Sequence, residues 1–252
     1  MRRAGLAFAA LLALVALVGT SCSSGVSTSG ERAATTVRRT ATATASTTLH
    51  GYPAYAAVVR ERADVFDQPG GSVRTTLPAH TVNGAPETLL VREERRVGDA
   101  VWYRVLLPVK PNGTTGWVRA TDVQISGLRY RLVVHLSAFT LDLVEGDHLV
   151  QTFPIGVGTD ETPTPDGTYS ITELLEPPDQ NTIYGHYVFA LSGFSEVLKD
   201  WPGGGVLGIH GTNDPDGSIG RKASHGCLRL RNEDIERLAG LLPLGTPVEV
   251  QA

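Results

Sequence analysis

The chain is poor in cysteine, in aromatics and in net charge. Of its 252 residues only two are cysteines, Cys22 and Cys227, and aromatics make up 6%. There are 22 Lys and Arg against 26 Asp and Glu, a formal charge of −4. Two cysteines cannot make a disulfide-dense scaffold. A near-neutral balance lacks the basic footprint of a nucleic-acid binder, so no nucleic-acid partner is expected. What remains is an ordinary foldable composition, 41% apolar and 19% charged. The 28 glycines and 15 prolines point to many turns between short strands. The length fits one or two domains, and no internal repeat is found.

The N-terminus reads as an address. Arg2 and Arg3 precede a continuous apolar run, Ala4 to Val18. Its 15 residues fall short of the roughly 20 that span a bilayer. Gly19, Thr20 and Ser21 lead to Cys22, so residues 1–21 have the layout of an export signal. A cysteine placed there resembles a bacterial lipoprotein signal, in which the thiol is diacylated. Gly19 stands where such signals usually carry Leu. Lipidation at Cys22, plain secretion and a retained N-terminal anchor all export the protein to the cell envelope. A cut before Cys22 leaves 231 residues with a charge of −6, so membrane attachment would come from the lipid. Thirteen of the 27 residues from 23 to 49 are Ser or Thr. Burial cannot offset the ordering entropy of such a stretch, and residues 22–54 are read as a flexible tether.

Two β-rich parts are expected next. Over residues 55–126, short β-branched runs alternate with the turn signals Pro69-Gly70-Gly71, Asn83-Gly84 and Pro111-Asn112-Gly113. Val101–Leu107 and Gly116–Arg119 read as strands, and about five strands in this span suggest a small barrel. The stretch from Trp102 to Gly116-Trp117-Val118 resembles a bacterial SH3-like domain, either a packing module or a wall-binding one. In residues 127–252, strands are expected at Arg129–Leu136, Leu141–Val144, His148–Ile155, Thr168–Thr172 and Val248–Val250. A hairpin turn is read at Glu145-Gly146-Asp147. Thr162-Pro163-Thr164-Pro165-Asp166-Gly167 is a rigid turn. Residues 175–205 read as one long loop, a length often tied to function. The spacing predicts a helix over Asn232–Leu242, capped by Asn232 with acids in its first turn and Gly245 beyond its end.

The chemistry converges on two short segments, Gly208-Ile209-His210-Gly211-Thr212 and Ser224-His225-Gly226-Cys227-Leu228-Arg229. With Cys22 lipidated or removed, Cys227 has no disulfide partner. A lone exported thiol with histidines nearby is a candidate nucleophile. It needs a thiolate, which a cationic or hydrogen-bonding neighbour favours. An imidazole can take the thiol proton and return it to a leaving amine. Gly226 allows a tight turn that aims backbone N–H groups at an oxyanion. His225, two residues from Cys227, and His210, which the fold must bring in, both qualify as base on spacing.

These residues resemble the signature of the L,D-transpeptidase family. That signature is a His-Gly, a spacer, then Ser/Thr-His-Gly-Cys and a hydrophobic–polar pair. Thr162 to Gly167 is similar to the family's Pro-Thr-Pro-X-Gly element, and the likeness covers about residues 128–250. It implies a mainly β fold: the small SH3-like barrel, then a β-sandwich-like catalytic domain with a lid, placed in residues 175–205, and a short C-terminal helix. It implies Cys227 as nucleophile and His210 as general acid and base, held through its other ring nitrogen by a backbone carbonyl such as that of Gly211. The backbone N–H groups of His225, Gly226 and Cys227 would polarise the scissile carbonyl, with His225 structural or on the acceptor side. Arg229 would bind a substrate carboxylate and Ser224 would fix the loop. Tyr184, His186 and Tyr187 are candidate substrate contacts. No metal or organic cofactor is implied. The implied partners are peptidoglycan stem peptides, cut between residues 3 and 4 with release of D-alanine and joined to an amine of another stem in a 3→3 crosslink. Carbapenems are expected to acylate the thiol.

Other readings are weaker on the residues. A zinc site from His210, His225 and Cys227 lacks paired ligand spacing. A sortase would need a Thr-Leu-X-Thr-Cys segment, and papain-like wall peptidases place Cys before His. Water as acceptor would make a carboxypeptidase, and a protein lysine would make a wall anchor. An inactive scaffold lipoprotein would not need the intact motifs.

Overall fold

The computed structural model describes residues 49–198 and 202–252. The export signal expected at 1–21, the lipidation expected at Cys22 and most of the expected tether lie outside the described residues. The tether's described end is not free: Leu49 packs against the first apolar cluster and β1 begins at Ala54. No helix among the described residues is long and apolar enough to cross a membrane.

The first sheet holds β1 (Ala54–Val59), β2 (Arg62–Phe66), β3 (Val73–Pro78), β4 (Thr88–Val97), β5 (Ala100–Leu106), β6 (Thr115–Arg119) and β7 (Val123–Leu128). Their order is β3-β2-β6-β5-β4-β1-β7. Ala57, Val65, Leu89, Val105 and Val118 form its core. Alternation sends neighbouring side chains to opposite faces, and the second set is buried too, Ala56, Leu90, Leu106 and Leu128 in one cluster and Phe66, Trp102 and Trp117 in another.

The second part contains β8 (Tyr130–His135), β9 (Thr140–Glu145), β10 (His148–Pro154), β11 (Val157–Gly158), β12 (Gly167–Leu175), β13 (Val188–Phe194), β14 (Val206–His210), β15 (Lys222–Ser224), β16 (Leu228–Arg229) and β17 (Pro247–Gln251). Two helices complete it, α1 (Pro215–Ser218) and α2 (Asn232–Ala239). Eight strands form a sheet in the order β10-β9-β8-β17-β12-β13-β14-β16, while β11 and β15 pair separately. The architecture is mainly β. Gly146, at φ +57, closes the β9–β10 hairpin in a conformation that favours glycine. The core gathers Leu132, Leu143, Tyr169, Phe189, Ile209, Leu228, Ile235 and Leu238.

Two expectations are corrected. Residues 175–205 are not one loop, because β13 runs through them with Phe189 and Leu191 buried. Prolines before it and glycines after it hide this strand's alternation. Helix α2 ends at Ala239, and Asn232 does not cap it. Arg231 is the cap residue, without a side-chain bond. The Asn232 side chain is used elsewhere, accepting the His186 N–H at 3.3 Å and donating to Asn213 Oδ1 at 2.8 Å.

The two sheets pack directly. Gly245 lies so close to Ala56 that a Cβ there would sit 2.6 Å from the Ala56 Cβ. Asn83 donates to Glu173 Oε2 at 2.7 Å across the contact.

Candidate active site

His210 and Cys227 come to line one pocket because β14 and β16 pair in parallel. The register sets Ile209 against Leu228 and His210 against Arg229. His210 ends β14 and Cys227 immediately precedes β16. The crossover through α1 and β15 brings the chain back alongside itself, as a parallel pair requires. A Cβ placed on Gly208 of β14 would lie 3.8 Å from the Cys227 sulfur, so the thiol sits against that strand.

The loop carrying Cys227 is held by hydroxyls. Ser224 Oγ donates to the Cys227 carbonyl at 2.5 Å and accepts the Gly226 N–H at 3.1 Å. Thr164 Oγ1 donates to the Gly226 carbonyl at 2.8 Å and accepts the Gly158 N–H at 2.9 Å. Thr162 Oγ1 donates to the Ser224 carbonyl at 3.2 Å. Gly226 has φ +112, a backbone state that a side chain would strain. The threonines of the Thr-Pro-Thr-Pro turn therefore brace the loop. The sequence marks that turn as rigid but not as a brace, for which its alternating hydroxyls and prolines are the signal.

His210 is buried, with its Nδ1 2.6 Å from the Gly211 carbonyl oxygen. A carbonyl only accepts, so Nδ1 carries the proton and Nε2 is left as the basic nitrogen. Burial lowers the His210 pKa to about 4; the bond to Gly211 opposes this and the Arg229 charge adds to it. Burial also pushes the Cys227 thiol above its ordinary value, against a backbone hydrogen bond with Gly208 and the charge of Arg229. The resting pair near neutral pH is thus thiol and neutral imidazole. Desolvation of the charged forms outweighs the neighbours that favour a thiolate.

Gly211 has no room for a side chain, since a Cβ would sit 2.1 Å from Asn232 Oδ1. Asn232 is therefore a supporting residue that sequence reading took for a cap. Arg229 donates from Nη1 to the buried Ser218 Oγ at 3.0 Å, and its buried Nε has no hydrogen-bond partner among the described residues.

Tyr184, His225, Ser224, Arg229, Ile183 and Leu198 line one narrow pocket with His210 and Cys227. About 40 Å³ of it is accessible to water, against the hundreds typical of a ligand site. The Tyr184 ring meets the His210 ring edge-on at 5.2 Å. His225 is exposed. Two expected contacts are not brought here. Tyr187 packs against the core, and the His186 ring pairs with Glu236 on α2. Among the described residues, no three His, Cys, Asp or Glu side chains group as metal ligands.

The model of the YkuD L,D-transpeptidase catalytic domain matches residues 129–250. The YkuD protein of Bacillus licheniformis is 38% identical over 154 residues, covering 58% of this chain and 85% of that one. The YkuD protein of Bacillus subtilis is 34% identical over 151 residues, covering 58% and 84%. Among solved structures, an L,D-transpeptidase from Mycobacterium smegmatis aligns with a TM-score of 0.40 and 14% identity, over 61% of this chain and 91% of that one. With the His210 and Cys227 motifs side by side in the matched region, the chain belongs to the L,D-transpeptidase family and carries its catalytic domain.

Proposed function

We propose that this L,D-transpeptidase works through Cys227 as nucleophile and His210 as general base and acid. The observation that supports it best is the anchoring of His210 Nδ1 on Gly211 beside Cys227, which leaves Nε2 to accept a proton. Because the resting pair is neutral, the thiol proton passes to Nε2 as the sulfur attacks the carbonyl between residues 3 and 4 of a stem peptide. The N–H groups of His225, Gly226 and Cys227 stabilise the oxyanion. The imidazolium then protonates the leaving D-alanine amine, and a thioester on Cys227 remains. An amine of a second stem loses its proton to His210 and attacks the thioester. The 3→3 crosslink forms and the thiol is restored. Arg229, which lines the pocket, binds a substrate carboxylate. Ser224 holds the loop, and exposed His225 faces the acceptor. Tyr184 contacts the donor and must move, since the pocket is too small for a peptide as it stands.

The sequence pattern of an export signal supports action at the cell envelope, with Cys22 lipidated and the residues between Cys22 and Leu49 tethering the enzyme. The first sheet is read as an SH3-like module that orients the catalytic domain.

Intact mass of the purified chain after incubation with a carbapenem, beside Cys227→Ala, tests this. An adduct on the unsubstituted chain alone is expected. A folded chain with a free thiol and no adduct would overturn the assignment of Cys227.

A further inference from the structure

The sheets are also joined at Asn112, in the turn between β5 and β6. Asn112 Nδ2 donates to the Phe194 carbonyl at 2.8 Å, and its Oδ1 accepts the Phe194 N–H at 2.8 Å. One side chain thus satisfies both backbone groups of a residue at the end of β13, as a neighbouring strand would. The pairing explains the need. β12 pairs with β13 only from Ile171 opposite Leu191 to Leu175 opposite Val188, and its first four residues pair with β17. Phe194 lies beyond that stretch. The Lys110 ammonium, from the same turn, sits 5.5 Å over the Phe194 ring.

Phe194 leads straight into the active-site wall. The Ser195 N–H donates to the Gly205 carbonyl at 2.7 Å, and the Leu198 N–H to Ser195 Oγ at 3.1 Å. Leu198 and Gly205 line the pocket that holds Cys227 and His210. The path from Asn112 to the pocket is therefore Phe194, Ser195, then Leu198 and Gly205.

We infer that Asn112 is a positioning residue through which the first sheet sets Leu198 and Gly205 in the wall of the pocket and so the binding of the donor peptide. The inference rests on the proposed function, which makes this pocket the donor site. It assigns the N-terminal sheet a part in the reaction without contact with substrate.

The test compares Asn112→Ala with Asn83→Ala in the full chain. Asn83 makes a second side-chain bond between the sheets, to Glu173, and does not line the pocket. Two readouts are taken: amide exchange, and the kinetics of D-alanine release from a tetrapeptide stem. Asn112→Ala is expected to speed exchange at Phe194, Ser195 and Leu198, and to raise KM roughly 3- to 30-fold with a smaller change in kcat. Asn83→Ala is expected to leave both readouts unchanged. Faster exchange at Phe194 alone, with Ser195, Leu198 and KM unmoved, overturns the inference. So does an Asn83→Ala variant that behaves like Asn112→Ala. If Asn112→Ala does not fold, Asn112→Asp keeps the acceptor and loses the donor; unchanged Ser195 exchange in it also overturns the inference. Absence of a carbapenem adduct on Cys227 would sink the proposed function instead, while exchange at Ser195 and Leu198 would still decide whether Asn112 holds the wall.

Discussion

The hydroxyl of Thr164 donates to the carbonyl of Gly226 at 2.8 Å while accepting the Gly158 N–H at 2.9 Å. One side chain, itself buried, ties the Cys227 loop to the end of β11. Thr164→Val keeps the shape and removes both bonds. It leaves two buried backbone groups without a partner, each costing about 1–3 kcal/mol. Lower thermal stability is expected, with slower carbapenem acylation. Thr164→Ser retains the hydroxyl and should restore most of the acylation rate; a Ser variant as slow as Val would show that the methyl, not the bond, matters.

A side chain at Gly211 is expected to destabilise the protein by displacing Asn232. The Cβ of Gly211→Ala would fall 2.1 Å from Asn232 Oδ1 and 3.1 Å from Ile235 Cγ2. Either Asn232 moves or the Gly211 carbonyl does, and that carbonyl orients His210. Overpacking of this kind costs roughly 1–3 kcal/mol. The double variant Gly211→Ala with Asn232→Ser should recover part of the stability lost on denaturant unfolding. No recovery would point to backbone displacement instead of the Asn232 contact.

His210 should titrate far below an ordinary histidine. Its pKa falls from 6.5 to about 4 because the charged ring would be buried. Between these values the unfolded chain binds a proton that the folded chain does not. The contribution of His210 to stability is therefore fully present above about pH 6.5 and is lost as pH falls through about 4, amounting to roughly 3 kcal/mol. The imidazole signal in NMR across that range checks the pKa, and a midpoint near 6.5 would contradict it.

Tyr184→Ala should raise that pKa. The Tyr184 ring covers one edge of His210 at 5.2 Å, and its loss admits water that solvates the imidazolium. The His210 midpoint is expected to move up toward 6.5, with faster carbapenem entry and weaker donor binding. An unmoved midpoint would mean that the β14–β16 core, not Tyr184, keeps the ring dry.

Cys227 carries the opposite sign. Its pKa is raised mainly by burial, so its contribution to stability is present below the ordinary thiol value and is lost as pH rises through the folded one. Iodoacetamide should alkylate Cys227 slowly at neutral pH, and faster in Tyr184→Ala. Rapid alkylation of the unsubstituted chain would indicate a resting thiolate.

Much of the fold was legible where the pattern was local. Val101–Leu107 and Leu141–Val144 are short runs rich in β-branched, aromatic and other apolar residues, and both form strands within a residue or two of the expected limits. Helix α2 has acids in its first turn and Ile235 and Leu238 on one face, a pattern readable without neighbours. β13 escaped because Gly193 and the glycine run at 203–205 look like loop, whereas Gly193 in fact gives way to the Tyr169 ring; a Cβ there would lie 2.3 Å from it. Asn232 looked like a cap because Asn is a good one. Its place between Gly185, Gly211 and Asn213 depends on three separate segments.

What the sequence determined by itself is the pair of motifs, His210-Gly211 and Ser224-His225-Gly226-Cys227, together with the family they announce. Both are short and contiguous, so no packing is needed to read them. Tertiary structure alone decided which histidine is buried and anchored beside Cys227. Spacing left His210 and His225 open, and the parallel register of β14 and β16 sets His210 next to the thiol while His225 stays exposed. It also decided the direction of both pKa shifts. Neighbouring charges can be guessed from a motif, but desolvation depends on everything packed around it, and here desolvation is the larger effect.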